Sequence, residues 1–259
     1  MSSVLAAQGT TPPPPQQAWR ALHEQACAPY RRSGRFAWHF ARGKLGRDPV
    51  FRGLLERGDL SGTFNGQGPT RVVDIGCGQG LMASLLQACG DAAAQGRWPQ
   101  AWGPAPRAGA YTGIELMPKD VQRAQAAVGG LPLAPRFVCA DMCEAALPDC
   151  DLVVILDVLH YVDHDAQAAV LAKVRRALGA QGRLVTRIGD MAHPGGFAAS
   201  QWVDRVVTMV RGHRVPPTFG RTVAQWTELL RGLGFARVQV VPMSQGTPFA
   251  NTLLVCDTA

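Results

Sequence analysis

Short apolar runs alternate with amphipathic stretches from residue 70 to the end of the chain. The stretches between the apolar runs carry apolar residues at helical spacing and helix-end signals, such as the capping-box pair Thr222 and Gln225. This alternation predicts an α/β fold in which helices cover both faces of a mostly parallel sheet. Seven short runs with β-branched residues are the predicted strands: Arg71–Ile75, Tyr111–Glu115, Arg136–Ala140, Asp151–Leu156, Arg183–Ile188, Arg237–Val241 and Thr252–Cys256.

Four segments stand apart from the repeat of the main domain, 67–259. Residues 1–17 contain four consecutive prolines and are predicted to be a disordered leader. Residues 18–66, with aromatic and apolar residues one helical step apart, are predicted to form a helical cap. Residues 189–220 follow the fifth strand and are interpreted as a lid insertion, because ligands bind at the carboxyl edge of open α/β sheets. Residues 91–109, rich in Gly and Pro, are expected to be a flap over a site or disordered.

Length and composition favour a single domain without membrane spans. The chain of 259 residues is long enough to bury a core without disulfides or metals. It has no apolar run of about 20 residues and no basic segment of a signal peptide, so a cytoplasmic location is expected. Its 7 cysteines form no CxxC pair, which predicts free thiols and no metal site.

The chain is basic, with a formal net charge of +7. Residues 18–60 alone carry 9 basic side chains against 4 acidic ones. This balance permits an acidic partner, such as nucleic acid, a phosphate-bearing carrier or an anionic membrane face, without choosing among them.

The strongest chemical signal lies where the first predicted strand ends. Three alternating glycines, Gly76, Gly78 and Gly80, follow the strand and lead directly into a helix. Glycines permit positive φ and let a ligand touch bare backbone, and the helix start offers unpaired N–H groups. Asp74 precedes the first glycine by two residues. A carboxylate at that position would repel a pyrophosphate, but it can hold an ammonium group.

This DxGxGxG pattern resembles motif I of class I S-adenosylmethionine (SAM) methyltransferases, and the order of later elements is similar to that family from Arg71 onward. The resemblance implies a Rossmann-like, seven-stranded sheet with an antiparallel last strand, SAM as the cofactor and methyltransferase activity. It also implies ten cofactor-binding residues: Asp74, Gly76, Cys77, Gly78, Gly80, Glu115, Leu116, Asp141, Met142 and Asp157.

Three of these positions have specific implied roles. In the family, the acidic residue at the position of Glu115 binds the ribose hydroxyls, and that of Asp141 accepts from the adenine amino group, with Met142 at the ring. An alternative interpretation of Asp141 is that it only caps a helix. Asp157 begins the segment after the fourth strand, where the family places residues beside the methyl group.

The predicted catalytic residues are His160, Tyr161 and His193. His160 is the first candidate for a general base because it follows the fourth strand, although a ring that only bonds to backbone is equally compatible. His193, after the fifth strand, is the second candidate, and Tyr161 is expected to pack against cofactor or substrate.

The predicted substrate-binding residues are Arg187, Trp38 and Trp202. Arg187 interrupts an apolar strand and therefore needs an anionic partner, either a substrate group or a local acid such as Asp190. The two tryptophans are candidates for the wall of an apolar pocket.

Segments 35–55 and 243–252 resemble methyltransferases of bacterial aryl-polyene and fatty-acid-like biosynthesis. That resemblance implies a small aromatic or acyl acceptor, methylated at oxygen or carbon and tethered to an acyl carrier protein. The chain lacks the (D/N)PP(Y/F) motif and the Pro-Cys pair of enzymes that methylate nucleic-acid bases, so no nucleic-acid partner is expected. Two alternatives stay open: an RNA methyltransferase with a basic N-terminal docking arm, and a non-catalytic SAM-binding partner subunit. The acceptor and the oligomeric state are left open.

Overall fold

All seven predicted strands are present in the computed structural model, which describes residues 12–62, 69–191, 218–243 and 251–259. The strands are β1 (Thr70–Ile75), β2 (Ala108–Glu115), β3 (Arg136–Cys139), β4 (Leu152–Leu156), β5 (Arg183–Gly189), β6 (Arg237–Pro242) and β7 (Asn251–Asp257). The helices are α1 (Pro15–Cys27), α2 (Arg35–Arg47), α3 (Pro49–Arg57), α4 (Leu81–Ala94), α5 (Pro118–Val128), α6 (His164–Ala177) and α7 (Val223–Gly232). Two 3-10 helices, Ala28–Ser33 and Leu159–Tyr161, complete the described elements.

The strands form one sheet in the order β3-β2-β1-β4-β5-β7-β6. β7 lies antiparallel between β5 and β6, and the other strands run parallel to one another. The predicted Rossmann-like sheet with an antiparallel last strand is confirmed. The strand order reverses between β1 and β4, and in such folds this switch point opens a ligand crevice at the carboxyl edge.

Alternating side chains of the central strands feed two separate hydrophobic cores. On β1, Val72 points to the face covered by α1 to α4, and Val73 points to the face covered by α6 and α7. Neighbouring strands alternate in the same way, which explains why their sequences are almost continuously apolar.

The N-terminal helices share the first core with α4 and the sheet. α1 begins at Pro15, three residues before the predicted start of the helical cap, and most of the predicted leader lies outside the described residues. Proline suits the first helical position because it needs no N–H partner there. α2 buries its small face, Ala37 and Ala41, and leaves Phe36 55% exposed and stacked on Phe40. Residues 15–57 thus form a helical layer that is part of the main fold.

Helix α3 runs along the sheet from one edge to the other. Its N-cap residue, Asp48, contacts Arg187 near the carboxyl end of β5. Just beyond its C-terminus, the carbonyl oxygens of Asp59 and Ser61 accept hydrogen bonds from Arg183 at the amino end of the same strand. The α2–α3 junction therefore lies at the edge where ligands bind.

The segment between α4 and β2 was expected to be a flap or disordered, and both expectations are wrong. It is ordered, with Trp98 donating to the carbonyl oxygen of Gly103 and packing edge-on against Trp102. Gly103 in turn donates to the carbonyl oxygen of Glu56 at the end of α3. A connection from a helix back to a parallel strand arrives at the amino edge of the sheet, which is opposite the ligand edge.

Most of the predicted lid insertion, 192–217, lies outside the described residues, as do His193 and Trp202. The two flanks of the segment meet, because the Met191 N–H donates to the carbonyl oxygen of Arg221. The buried Gln167 amide donates to the carbonyl oxygens of Leu159, Val162 and Phe219, which fixes the returning chain against the 3-10 helix of His160. In the described part of the chain, no helix has the length and apolar character needed to cross a membrane.

Candidate functional site

The loop between β1 and α4 exposes bare backbone at the sheet's switch point. Gly76, Gly78 and Gly80 all adopt positive φ. A Cβ at Gly76 would lie 2.4 Å from a Val158 methyl group, and one at Gly80 would lie 2.9 Å from Phe137. A Cβ at Gly78 would meet nothing within 4 Å. Two glycines therefore permit close packing of the loop, and the third leaves open space against which a ligand can lie.

Asp74 lies at the end of β1, buried to 5% exposure. Its Oδ2 accepts a 2.6 Å hydrogen bond from the Tyr111 hydroxyl on the neighbouring strand. Burial raises the pKa of Asp74, the Tyr111 hydrogen bond lowers it and the Glu115 carboxylate raises it, and the balance is a pKa of about 7. Such a carboxyl gains a favourable partner when a cation arrives.

Glu115, at the end of β2, holds the glycine loop. Its Oε2 accepts from the Gly78 N–H at 2.9 Å, and its Oε1 accepts from the Met117 N–H at 2.9 Å. The following residue, Leu116, is 59% exposed although it is large and apolar. A carboxylate and an exposed leucine side by side suit a ligand with both hydroxyl groups and a flat ring.

Asp141 and Met142 follow β3. Asp141 accepts from the Cys143 N–H at 2.7 Å, so the predicted capping interaction is present in a turn. The Lys173 ammonium donates to the carbonyl oxygens of Met142, Cys143 and Ala145 and fixes this turn from α6. Lys173 thus fixes the turn that contains Asp141 at the carboxyl edge of the sheet. The side chain of Asp141 is only partly buried.

Asp157 and Arg187 form a pair, and Arg187 is not free for a substrate. Its Nε donates to Asp157 Oδ1 at 2.7 Å, and its two terminal nitrogens donate to Asp48 at 2.5 and 2.7 Å. A further hydrogen bond joins its Nη2 to Asp157. Four of the five N–H groups of a guanidinium are therefore used. The predicted substrate role of Arg187 is corrected: its anionic partners are Asp48 and Asp157, and the local acid Asp190 is not among them.

His160 and Tyr161 lie in the 3-10 helix just after β4. Their rings pack at 4.2 Å between centroids, and both are partly exposed. His160 lines a cleft at the ends of β4 and β5 together with Leu159, Arg187, Ile188, Gly189, Gly220 and Trp226. Its position at the carboxyl edge agrees with the predicted one.

Two other predicted residues are Trp38, which lies in the helical layer, and Cys77, which is buried. Trp38 is on α2, half-buried, with the guanidinium groups of Arg31 and Arg42 over its ring at 5.8 and 5.0 Å. The structure therefore places it beside cationic side chains at the surface of the helical layer. Cys77 is buried in the glycine loop, and burial raises the pKa of its thiol well above the usual value.

Tyr30, which the sequence pattern did not identify, contacts the glycine loop. It is fully buried and its hydroxyl donates to the Gln79 carbonyl oxygen at 2.9 Å. Tyr111 and Lys173 were missed for the same reason, since each acts on a residue that is far away in the sequence. In the described residues, no group of three His, Cys, Asp or Glu side chains could hold a metal.

Comparison with known proteins decides the family of this site. Residues 73–186 match the family described as a methyltransferase domain, and the match includes the glycine loop, Glu115, Asp141 and His160. Residues 73–186 therefore carry a methyltransferase domain. No functionally curated protein matches the sequence.

Solved methyltransferase structures share the fold. Magnesium protoporphyrin IX methyltransferase from Synechocystis PCC 6803 with bound S-adenosylhomocysteine (SAH) has a TM-score of 0.53 and 17% identity, over 95% of this chain and 99% of that chain. The mitomycin 7-O-methyltransferase MmcR has a TM-score of 0.53 and 22% identity, over 95% and 74% of the two chains. An O-methyltransferase family protein from Burkholderia thailandensis has a TM-score of 0.56 and 16% identity, over 88% and 62%. The chain spans 53% of another relative, from Nostoc punctiforme PCC 73102.

The site of this methyltransferase fits SAM. The open space at Gly78 accommodates a ligand against bare backbone, and an ammonium group would compensate the charge of the buried Asp74 carboxyl. Glu115 and Asp141 then offer acceptors for hydroxyl and amino groups at the ends of the next two strands. When bound, SAM supplies a methyl group on a positively charged sulfur. Asp74, Gly78, Glu115 and Asp141 stay predictions as SAM-binding residues, and Tyr30 and Lys173 fix the segments that contain two of them.

Proposed function

We propose that this methyltransferase acts on an oxygen or carbon atom of a small aromatic or acyl acceptor that a carrier protein presents. The observation that carries the proposal is the position of His160 at the carboxyl edge of the sheet, two residues after Val158, which packs against Gly76 of the glycine loop. The imidazole of His160 lies beside the buried apolar side chains of Leu159, Ile188 and Trp226. One proton acceptor among apolar side chains suits an acceptor that is largely apolar and carries a single acidic hydrogen.

Methyl transfer needs alignment and, for a protonated acceptor, removal of a proton. Asp74, Glu115 and the glycine loop would hold SAM, which would supply the methyl group to the acceptor and leave as SAH, and the His160 ring would take up the acceptor's proton. Alignment of two bound reactants can supply about 7–11 kcal/mol of the barrier. A positioned base adds about 10²- to 10⁴-fold. Asp157 is a poor base because Arg187, outweighing the effect of burial, lowers its pKa.

Replacing His160 with glutamine is expected to lower kcat by about 10²- to 10⁴-fold and to leave SAH affinity almost unchanged. Steady-state rates, with SAH titrations beside them, check this. A variant with wild-type kcat would remove His160 from the chemistry and leave it a structural role.

The proposed carrier would meet a basic surface on the helical layer, which consists of Arg31, Arg32, Arg35, Arg42 and Arg47. All five side chains are exposed, and the chain has no acidic residue between Glu24 and Asp48. Guanidinium groups recognise carboxylates and phosphates in a bidentate manner, which favours an acidic partner. The aromatic rings of this surface are less suited to RNA bases, since Arg31 and Arg42 lie over Trp38 while Phe36 is stacked on Phe40 and approached by Arg123.

A carrier-tethered acceptor should be methylated with a much lower KM than its free acid. The paired reversal Arg35→Glu with Arg42→Glu is expected to raise the KM for the tethered acceptor by about tenfold or more at low salt, without changing that for the free acid. The matched control is Arg231→Glu with Arg237→Glu, which makes the same change in net charge at exposed positions elsewhere. Equal KM values for tethered and free acceptors would contradict the carrier proposal.

The two alternatives have distinct signatures. An RNA methyltransferase would label total RNA and would lose RNA affinity steeply with added salt, because each neutralised phosphate releases counterions. A non-catalytic partner subunit would bind SAH yet methylate no acceptor. The arrangement of Asp74, Glu115 and Asp141 together at one edge supports an active enzyme instead.

A further inference from the structure

A network of four charged side chains ties the helical layer to the carboxyl edge of the sheet. Arg187, 4% exposed on β5, donates to Asp48 at the α2–α3 junction and to Asp157 after β4. The Lys44 ammonium, in the last turn of α2, lies 2.7 Å from Asp48 Oδ2 and 3.7 Å from Asp157 Oδ2. The network therefore joins the α2–α3 junction to two segments that lie more than 100 residues further along the chain.

The network is electrically balanced, with two cations and two carboxylates. Burial raises the pKa of Asp48, but the hydrogen bonds and positive charges of Arg187 and Lys44 outweigh it and hold that pKa well below its usual range. Asp157 is kept ionised by the same two cations. Both carboxylates thus stay charged at neutral pH, and the positions of all four groups depend on one another.

Asp157 holds an unusual backbone conformation, with φ of +62°. A non-glycine residue in this left-handed region is strained and persists where its surroundings fix it. Here the side chain is fixed by Arg187 and Lys44, and the next residue, Val158, is thereby packed against Gly76 of the glycine loop. The position of Arg187 therefore affects the position of the glycine loop through the Asp157–Val158 turn.

We infer that Asp48 and Lys44 of the helical layer are positioning residues for the cofactor loop, acting through Arg187 and the Asp157–Val158 turn. Neither residue belongs to the set that would touch SAM, and the inference rests on the SAM site described above. With Asp48 neutral, Arg187 loses a doubly hydrogen-bonded partner and the turn relaxes. A ligand must then order the loop as it binds, which reduces its affinity.

Replacing Asp48 with asparagine tests the inference by calorimetric titration with SAH. Asparagine keeps the shape of the side chain and can still cap α3, so the fold is expected to persist. SAH binding should weaken by between about 5- and 150-fold, the usual range for coupling between sites. The control is Glu56→Gln, which neutralises an exposed ion pair with Arg52 and should leave SAH affinity within about twofold of wild type.

A double-mutant cycle with Arg187→Lys separates positioning from a general loss of stability. If the effect passes through Arg187, Asp48→Asn should change SAH affinity by less than about twofold in the Arg187→Lys background. Lys44→Met provides a second variant and should also weaken SAH binding. A lower Tm with unchanged SAH affinity in Asp48→Asn, or an equal weakening in both backgrounds, would overturn the inference. Failure of the wild-type protein to bind SAH would instead contradict the cofactor site itself.

Discussion

Replacing Asp74 with asparagine is expected to weaken SAH binding by at least about 30-fold, because a buried carboxylate that pairs with an ammonium group contributes about 2–5 kcal/mol. Asparagine has the same shape and can still accept from the Tyr111 hydroxyl, so the fold should be kept. The loss would therefore come from the missing charge. Titration calorimetry of the wild type and the variant measures it, and equal affinities would contradict the role of Asp74.

The same carboxyl predicts how SAH affinity depends on pH. With a pKa of about 7, Asp74 of the free protein is protonated in acid and must release its proton to bind an ammonium group. SAH affinity should therefore rise by up to about tenfold per pH unit from pH 5 toward pH 7 and then level off. Tyr111→Phe is the control that shifts this profile: it removes the hydrogen bond that lowers the pKa, so the midpoint should move to higher pH.

The raised pKa of Asp74 also makes the stability of the folded protein depend on pH. A carboxyl that binds its proton more tightly in the folded protein contributes stability that is fully present below the unfolded pKa of about 4 and is lost as pH rises through about 7. SAH should consequently raise Tm more at pH 8 than at pH 6. A pH-independent affinity and Tm increment would mean that Asp74 is not the group that meets the ligand's charge.

Replacing Arg187 with methionine is expected to lower the free energy of unfolding by about 3–5 kcal/mol, because it leaves two carboxylates without their principal partner in a buried place. The control is Arg52→Met, which breaks an exposed pair with Glu56 and should cost no more than about 1 kcal/mol. Urea unfolding followed by circular dichroism measures both. Similar values for the two variants would show that the network contributes little.

The effect of Arg187→Met should shrink in acid. Arg187 lowers the pKa of both Asp48 and Asp157, so its contribution is fully present above the unfolded pKa of about 4 and is lost as pH falls through the lower folded values. The difference between wild type and variant should thus be largest near pH 7 and smaller at pH 3. A difference that stays constant over this range would contradict the ionic account.

The sequence could predict the parts of the site that adjoin strand ends. Asp74, Glu115 and Asp141 lie at or just after the ends of consecutive strands, and parallel strands bring their carboxyl ends to one edge. The common location of these three residues can be predicted without knowledge of side-chain contacts. The seven strands were predictable for a similar reason, because continuous apolar runs bounded by turns are typical of buried strands in a doubly wound fold.

Contacts between distant segments could not be predicted. A buried arginine within a strand indicated that Arg187 needs an anionic partner, but nothing in the pattern pointed to Asp48, which is 139 residues away. Tyr30 reaches the glycine loop only because α1 packs on α4 and the following 3-10 helix packs on α5. By contrast, the amino-edge position of the connection before β2 follows from topology alone, so the flap expectation was avoidable.

The central claim is that the edge containing Asp74, Gly78 and Glu115 binds SAM, and calorimetric titration of the wild-type protein with SAH, beside NAD⁺ as a control ligand, tests it most directly. The predicted result is micromolar SAH binding that Asp74→Asn and Glu115→Ala abolish or greatly weaken, with no binding of NAD⁺. Absence of SAH binding by the folded wild-type protein, or equal binding of NAD⁺, would contradict the account.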